Sequence, residues 1–354
     1  MYMLEYFSSQ KKMITDALNN FLADKGKIFT AINKWGPDTC ERFSDFAVNG
    51  KMIRGGLVML AHDMYNGEMI REALKIACAL ELTHSSLLIH DDIIDNDTTR
   101  RGKDAIHFQY EKVGLLEKIH DAKGFSQGMG ICSGDIGYFL CFELLSSLNI
   151  EPKKALSIVE FLSKDFSFVG LAQMQDVYFG HKDFVPSEQS VLDLYRYKTA
   201  RYTFSVPLMT GAMITELGKE ALSQLEKIGE ALGIIFQIKD DELGIFSDTN
   251  EFGKPVGSDI QEAKKTIYYV TLMEKISGEE KRKLQEIFGS HTLTRSNIQY
   301  VKDAIISTGT KAYIESLSQK YADVALDSVH ALSVSETYKN ILIELVEYSC
   351  NRKK

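Results

Sequence analysis

The sequence predicts an all-α protein, one domain over residues 1–354, built as a bundle of ten or more helices. Three observations predict it. Apolar residues recur three and four positions apart in segment after segment, which is the period of a helix with one buried face. Alternating runs closed by hairpin turns are hard to find. Only 5 prolines occur in 354 residues, which leaves room for long uninterrupted helices.

Taken in order, Ile76, Ala79, Leu80, Thr83 and Leu87 mark a helix from about Glu72 to Asp95. It is nearly apolar all round, so it is expected at the centre rather than the periphery. Phe139, Leu140, Phe142, Leu144 and Leu145 mark a second helix, and Leu225, Ile228, Leu232, Ile235 and Phe236 a third. Turn signals are sparse: Trp35-Gly36-Pro37, Asn66-Gly67, Lys123-Gly124 and Gly253-Lys254-Pro255. No linker rich in proline, glycine or serine divides the chain, and no repeat is visible.

Apolar residues make up 44% and charged residues 25%, an ordinary globular balance that excludes disordered and collagen-like classes. Lys plus Arg number 41 against 49 Asp plus Glu, a net charge of −8 that argues against a nucleic-acid partner. The five cysteines form no C-x-x-C pair and read as thiols of a reducing compartment. The first 27 residues mix charges with apolar residues, unlike a secretory signal, and no run of about 18 apolar residues suggests a transmembrane segment. The expectation is a cytoplasmic protein.

The informative chemistry begins where the central helix ends, at His90-Asp91-Asp92-Ile93-Ile94-Asp95. Asp91 and Asp95, four apart, project from one helical face, with Asp92 turned about 100° aside. Like charges one turn apart at the end of an apolar helix are costly unless a cation reverses the sign. Mg²⁺ suits that role, because it takes oxygen ligands and completes its shell with water or substrate phosphate. A second apolar helix arrives at Asp240-Asp241-Glu242. Two such clusters facing each other across a bundle would hold several Mg²⁺ around a polyanion. Basic groups nearby suggest the anion: Lys51 and Arg54 three apart on one face, Arg100-Arg101, Lys198-Thr199, and Lys254, Lys264 and Lys265. Arginine forks and lysine point charges opposite metal-bearing carboxylates would clamp a diphosphate.

With these segments in view, the chain from about Gly50 onward resembles the trans-isoprenyl diphosphate synthases, or polyprenyl synthetases. The matching segments are Gly50-Lys51-Met52-Ile53-Arg54, His84, the run from Asp91 to Gly102, Gly134-Asp135, Gln173-Met174-Gln175-Asp176, Lys198-Thr199-Ala200, Phe236 to Asp241, and Gly253 to Ile260. The resemblance implies the isoprenoid synthase fold, its helices set around a central cavity, usually as a homodimer. It implies Mg²⁺-dependent head-to-tail transfer of an allylic group to isopentenyl diphosphate by ionisation, condensation and elimination. On that resemblance Asp91, Asp95 and Asp240 are the metal ligands, for three ions, with Asp92 and Asp241 supporting them and Asp176 close by. Arg100, Gln173, Lys198, Thr199, Gln237, Lys254 and Lys264 are expected on the allylic diphosphate. Gly50, Lys51, Arg54, His84 and Arg101 are expected on isopentenyl diphosphate, with the basic run Arg352-Lys353-Lys354 closing over it.

Some positions depart from the family's pattern. Gly55 stands where relatives usually carry proline, Ala263 replaces a common glycine, and Gly244 takes the place of a third aspartate. Chain length should be set beside the helix carrying Asp91. Ser86 and Leu87, five and four positions before Asp91, are not aromatic, nor is Thr83 one turn deeper, and Tyr138 and Phe139 are the candidate floor. The expected product is geranylgeranyl diphosphate (C20), with longer chains (C25 or more) or farnesyl diphosphate as alternatives. A class I terpene synthase is disfavoured by the intact second basic group. A helical di-iron protein, suggested by Glu81-x-x-His84 and Glu117-x-x-His120, leaves both aspartate clusters unexplained.

Overall fold

The computed structural model describes residues 2–181, 184–215, 217–246, 257–290 and 292–352, and its architecture is all-α as expected. The helices are α1 Tyr2–Phe29, α2 Trp35–Val48, α3 Ile53–Met64, α4 Ile70–Ile94, α5 Ile106–Leu116, α6 Ala122–Ser146 and α7 Pro152–Gly180. They continue with α8 Glu188–Tyr195, α9 Val206–Met213, α10 Lys219–Phe246, α11 Ser258–Gln261, α12 Ile267–Lys275, α13 Gly278–Ile287, α14 Arg295–Ser307, α15 Thr310–His330 and α16 Glu336–Asn351. A π-helical stretch, Arg196–Ser205, joins α8 to α9. The only strands among the described residues are β1 Thr99–Arg100 and β2 Lys103–Asp104, an antiparallel pair.

The chain divides into two compact units: Met1–Glu160 with Met209–Leu217, and Phe161–Leu208 with Gly218–Lys354. In the first, α4 is central as its composition predicted, packed by α1, α2, α3, α5 and α6. Ile76, Ala77, Ala79, Leu80, Leu82 and Ile89 are buried on almost every side of it. Each large aliphatic side chain so buried contributes about 1.5–3 kcal/mol.

Glycines decide how closely α6 approaches α4. A Cβ on Gly130 would meet Ile93 and His107; on Gly134 it would lie 2.2 Å from His90 Nε2; on Gly137 it would lie 2.2 Å from Ser86 Oγ and 2.4 Å from the Phe43 ring. Positions 130, 134 and 137 share one face of α6, and 86, 90 and 93 share one face of α4. The two helices therefore meet along a seam without intervening side chains. By length and composition alone α6 is apolar enough to cross a membrane, but its glycine face is spent on this seam.

In the second unit α10 packs against the π-helical stretch, α15 and α16. Gly229 and Gly233 bring its backbone against Ser205 and Ala200: an added Cβ would lie 2.4 Å and 2.1 Å from their Cα atoms. Arg201 braces the same contact, its guanidinium donating to Asp165 at 2.9 Å and Glu230 at 2.8 Å as well as to Glu226. A core of Tyr195, Ile238, Ile267, Tyr268, Leu272, Val301 and Ile305, among others, fills the space between α8, α10, α12 and α14.

Candidate active site

Both aspartate motifs lie in the last turns of long helices, α4 and α10. A helix C-terminus carries partial negative charge, so carboxylates there are disfavoured and raise the demand for a cation. In α4 the geometry follows from how the helix stops. Asn96, with φ of 55°, takes the left-handed position, and the Asp97 N–H closes back on the Asp92 carbonyl at 2.9 Å. Asp95 becomes the cap residue with its side chain exposed, whereas Asp92 is fully buried.

The next turn aims arginine at this cluster. Arg101 and Gly102, with φ of 56° and 75°, form the two-residue loop of the β1–β2 hairpin, in the left-handed pairing such loops require. Arg100 Nε donates to Asp92 Oδ1 at 2.6 Å, and its Nη2 lies 3.5 Å from Asp91 and 3.4 Å from Asp97. Burial pushes the Asp92 carboxyl up to about 7 although Arg100 opposes the shift. The other oxygen of Asp92, Oδ2, is buried without a hydrogen-bond partner.

Arg101 points the other way. Its Nη1 donates to the Phe46 carbonyl at 3.0 Å, its guanidinium lies over the Phe46 ring, and a Cβ on Gly50 would come 3.0 Å from Nη1. Gly50 is thus the residue that lets Arg101 in. Lys51 is exposed, and Met52 adopts φ of 53° immediately before α3, which carries Arg54 in its first turn. On α4, Glu81, His84, Asp91, Asp92 and Asp95 fall on one side of the helix, away from the seam with α6. Burial lowers the His84 pKa well below its ordinary value, and the positive charges of Arg54, Arg101 and Arg100 lower it further. The ring is therefore neutral at pH 7, in a cationic environment suited to an anion.

In the second unit Asp241 is the buried member and Asp240 the more exposed one. Asp241 accepts hydrogen bonds from Tyr195 and, at 3.0 Å, from Gln237 Nε2; Tyr195 in turn accepts the Ile267 N–H at 2.8 Å. Burial first, then the neighbouring Asp259, pushes Asp241 up to about 8. Thr199 donates to Gln237 at 2.8 Å, and Lys198 pairs with Asp176. The structure thus links Thr199, Gln237 and Asp241 into one chain of hydrogen bonds.

The place beside Gly244, where a third aspartate was expected to be missing, is taken by Asp259, whose Oδ2 would lie 2.5 Å from a Cβ on Gly244. Lys264 lies 3.0 Å from Glu262 and 4.0 Å from Asp259. Lys254, Lys353 and Lys354 fall outside the described residues. Gln173 is half-buried on α7.

Three further groups singled out in the sequence are placed as follows. Arg352, expected over isopentenyl diphosphate, donates to the Phe236 carbonyl at 2.9 Å, pairs with Asp240 and stacks on the Phe236 ring at 3.6 Å. Ser86 and Thr83, expected beside a product channel, belong to the α4–α6 seam: Ser86 is fully buried against Gly137 and Phe43, and Thr83 bonds the Ala79 carbonyl and Cys141. Phe139, expected as a floor, is 73% exposed on the face of α6 opposite the glycines, while Tyr138 packs edge-on against His90. Leu87 alone of that set is partly exposed on the Asp91 side of α4.

Tyr195 was not singled out in the sequence, because a tyrosine in an apolar run reads as core, and Asp259 entered only as part of the matching segment Gly253 to Ile260. Glu81 meets no metal cluster: it accepts the Gly55 N–H at 2.8 Å. Among the described residues no three His, Cys, Asp or Glu side chains converge on a metal-sized point. A preformed protein cage is not what Mg²⁺ needs, since it usually takes one or two carboxylates and fills its shell with waters and phosphate oxygens. The donor set fits it: adjacent carboxylates, one with a buried oxygen lacking a donor.

An all-α fold with two aspartate-ended helices, each next to lysine or arginine, defines a class of enzymes that act on diphosphates. The polyprenyl synthetase family matches residues 38–305, and the chain belongs to that family. It is 34% identical to the short chain isoprenyl diphosphate synthase of Methanocaldococcus jannaschii over 71% of this chain and 70% of that one. It is 28% identical to the geranylgeranyl diphosphate synthase of Sulfolobus acidocaldarius over 100% and 99% of the two chains. Its fold superposes with a TM-score of 0.90 on the geranylgeranyl pyrophosphate synthase of Corynebacterium glutamicum, 24% identical, covering 97% of this chain and 98% of the other. The protein is a prenyltransferase.

Proposed function

We propose that this prenyltransferase joins an allylic diphosphate to isopentenyl diphosphate, with Mg²⁺, and releases geranylgeranyl diphosphate. The observation that carries the reading is the pairing of a buried with a more exposed aspartate at the ends of both α4 and α10, each beside cationic side chains. Asp91, Asp95 and Asp240 are the proposed magnesium ligands, with three ions expected, and Asp92 and Asp241 hold their neighbours in place. Bound Mg²⁺ supplies positive charge to the diphosphate as it leaves the allylic carbon.

The chain's own cations act alongside. Arg100, Lys198 and Lys264, with Gln173, Thr199, Gln237 and Lys254, are assigned to the allylic diphosphate, where charge develops as the C–O bond breaks. Gly50, Lys51, Arg54, His84 and Arg101 are assigned to isopentenyl diphosphate. Holding the second substrate close lets its double bond attack the allylic cation before water does. The departed diphosphate takes the proton lost in elimination, so no side-chain nucleophile is required.

A C20 product is favoured by the geranylgeranyl synthase relatives that match nearly the whole chain. One functional domain over both units is supported by a family match that crosses them. A homodimer is supported by the exposed apolar stripe of α6, and a cytoplasmic setting by five cysteines that form no disulfide. The test is Asp91→Ala and Asp240→Ala, each expected to cut turnover about a hundredfold or more with the fold unchanged. Product sizing with labelled isopentenyl diphosphate checks both reaction and length. Retained turnover in either variant defeats its metal assignment, and a product other than C20 defeats the length.

A further inference from the structure

Glu81 is a buried titratable group that the mechanism above leaves unused. Glu81 lies in the middle of α4, 4% exposed, one turn before His84. Its Oε1 accepts the N–H of Gly55 at 2.8 Å, and it also accepts the N–H of Arg54. These are first-turn donors of α3, which no residue of α3 itself can satisfy. The residue at the cap position, Met52, is in the left-handed conformation and offers no side-chain bond. A carboxylate from a different helix therefore caps α3, at the end where the helix dipole is positive.

The approach is tight. A Cβ on Gly55 would lie 2.8 Å from Ile14 Cδ1 and 3.4 Å from Ala77, which sits one turn before Glu81 on α4. The N–H used is one that a proline at position 55 would lack. Arg54 and Arg101 face the same carboxylate electrostatically, as they face His84. One acidic group thus touches the backbone that carries Arg54, and lies beside the side chains of both arginines.

We propose that Glu81 is a positioning residue for the second substrate: by capping α3 from within α4 it fixes Lys51 and Arg54 relative to His84, so that the three grip one diphosphate. Glu81 does not touch the substrate. The inference rests on the assignment of Gly50, Lys51, Arg54, His84 and Arg101 to isopentenyl diphosphate.

The experiment compares Glu81→Gln, Glu81→Leu and Glu81→Asp with Arg54→Gln. Isopentenyl diphosphate is varied at saturating farnesyl diphosphate, then the reverse, with circular dichroism to check folding. Glu81→Gln keeps an acceptor oxygen and is expected to hold the KM for isopentenyl diphosphate within about threefold. Glu81→Leu is expected to raise that KM about tenfold, with kcat and the KM for farnesyl diphosphate little changed, the signature of lost binding common to ground and transition states. Glu81→Asp withdraws the carboxylate by one methylene and is expected to move the same constant in the same direction, which preserves the test if the leucine variant does not fold. An unchanged KM in both Glu81→Leu and Glu81→Asp overturns the inference, as does a parallel loss for both substrates. If Arg54→Gln leaves the KM for isopentenyl diphosphate unchanged, the site assignment itself fails and the inference with it. If Arg54→Gln raises it and the Glu81 variants do not, only the inference falls.

Discussion

Asp92 and Asp241 occupy matching chemical situations: each is buried, each has its pKa raised by burial, and each follows a more exposed aspartate. Adjacency was plain in the sequence, but which member turns inward was not. Asp95 is likewise four residues from Asp91 as expected, yet it stands past the helix end because Asn96 breaks the helix there. That stop is chemically readable afterwards, since asparagine tolerates the left-handed conformation. Ala263 adopts the same conformation, with φ of 53°, closing α11 through the Lys264 N–H on the Asp259 carbonyl at 2.9 Å. A side chain there is strained, so Ala263→Gly is expected to stabilise the protein by about 0.5–1 kcal/mol, the relief outweighing the looser unfolded chain. Chemical denaturation measures it, and a lower midpoint for the glycine variant would refute the strain.

At the scale of elements, helical periodicity located α4 to within about two residues, because its apolar content is so high. Glycine seams were not legible, since a glycine inside a helix shows in sequence only as a weak helix former and does not name the neighbour it packs against. The π-helical stretch escaped as well: Lys198, Thr199 and Arg201 lie on it, yet its residue pattern is merely helical. The seam decides a substitution that the sequence would misjudge. Ser86→Phe looks like a plug for a channel, but the ring would enter space held by Gly137 and Phe43. It is expected to destabilise the first unit by about 1–3 kcal/mol through overpacking. Normal stability with a shortened product would show that the seam opens.

For the whole molecule, α6 carries two opposed faces. One is spent on glycines against α4; the other exposes Ile131 (46%), Phe139 (73%) and Phe142 (38%). Such a stripe is larger in apolar content than solvent favours and suits a second copy of the chain. On the proposed homodimer, Phe139→Glu is expected to shift the protein from dimer to monomer by sedimentation, with the circular dichroism spectrum unchanged. A monomeric wild type would remove the reading. The sequence suggested a homodimer only through family resemblance, because exposure is a property of the folded helix.

The tight junction of α4 with α6 has a consequence for inheritance. Residues pressed against glycine have little room to vary, so substitutions are expected to be tolerated instead at positions such as Leu87, which the junction leaves alone. Thr83, Ser86, Gly134 and Gly137 should resist change while side chains off the junction vary, and mutational tolerance along α4 should alternate with the turn of the helix.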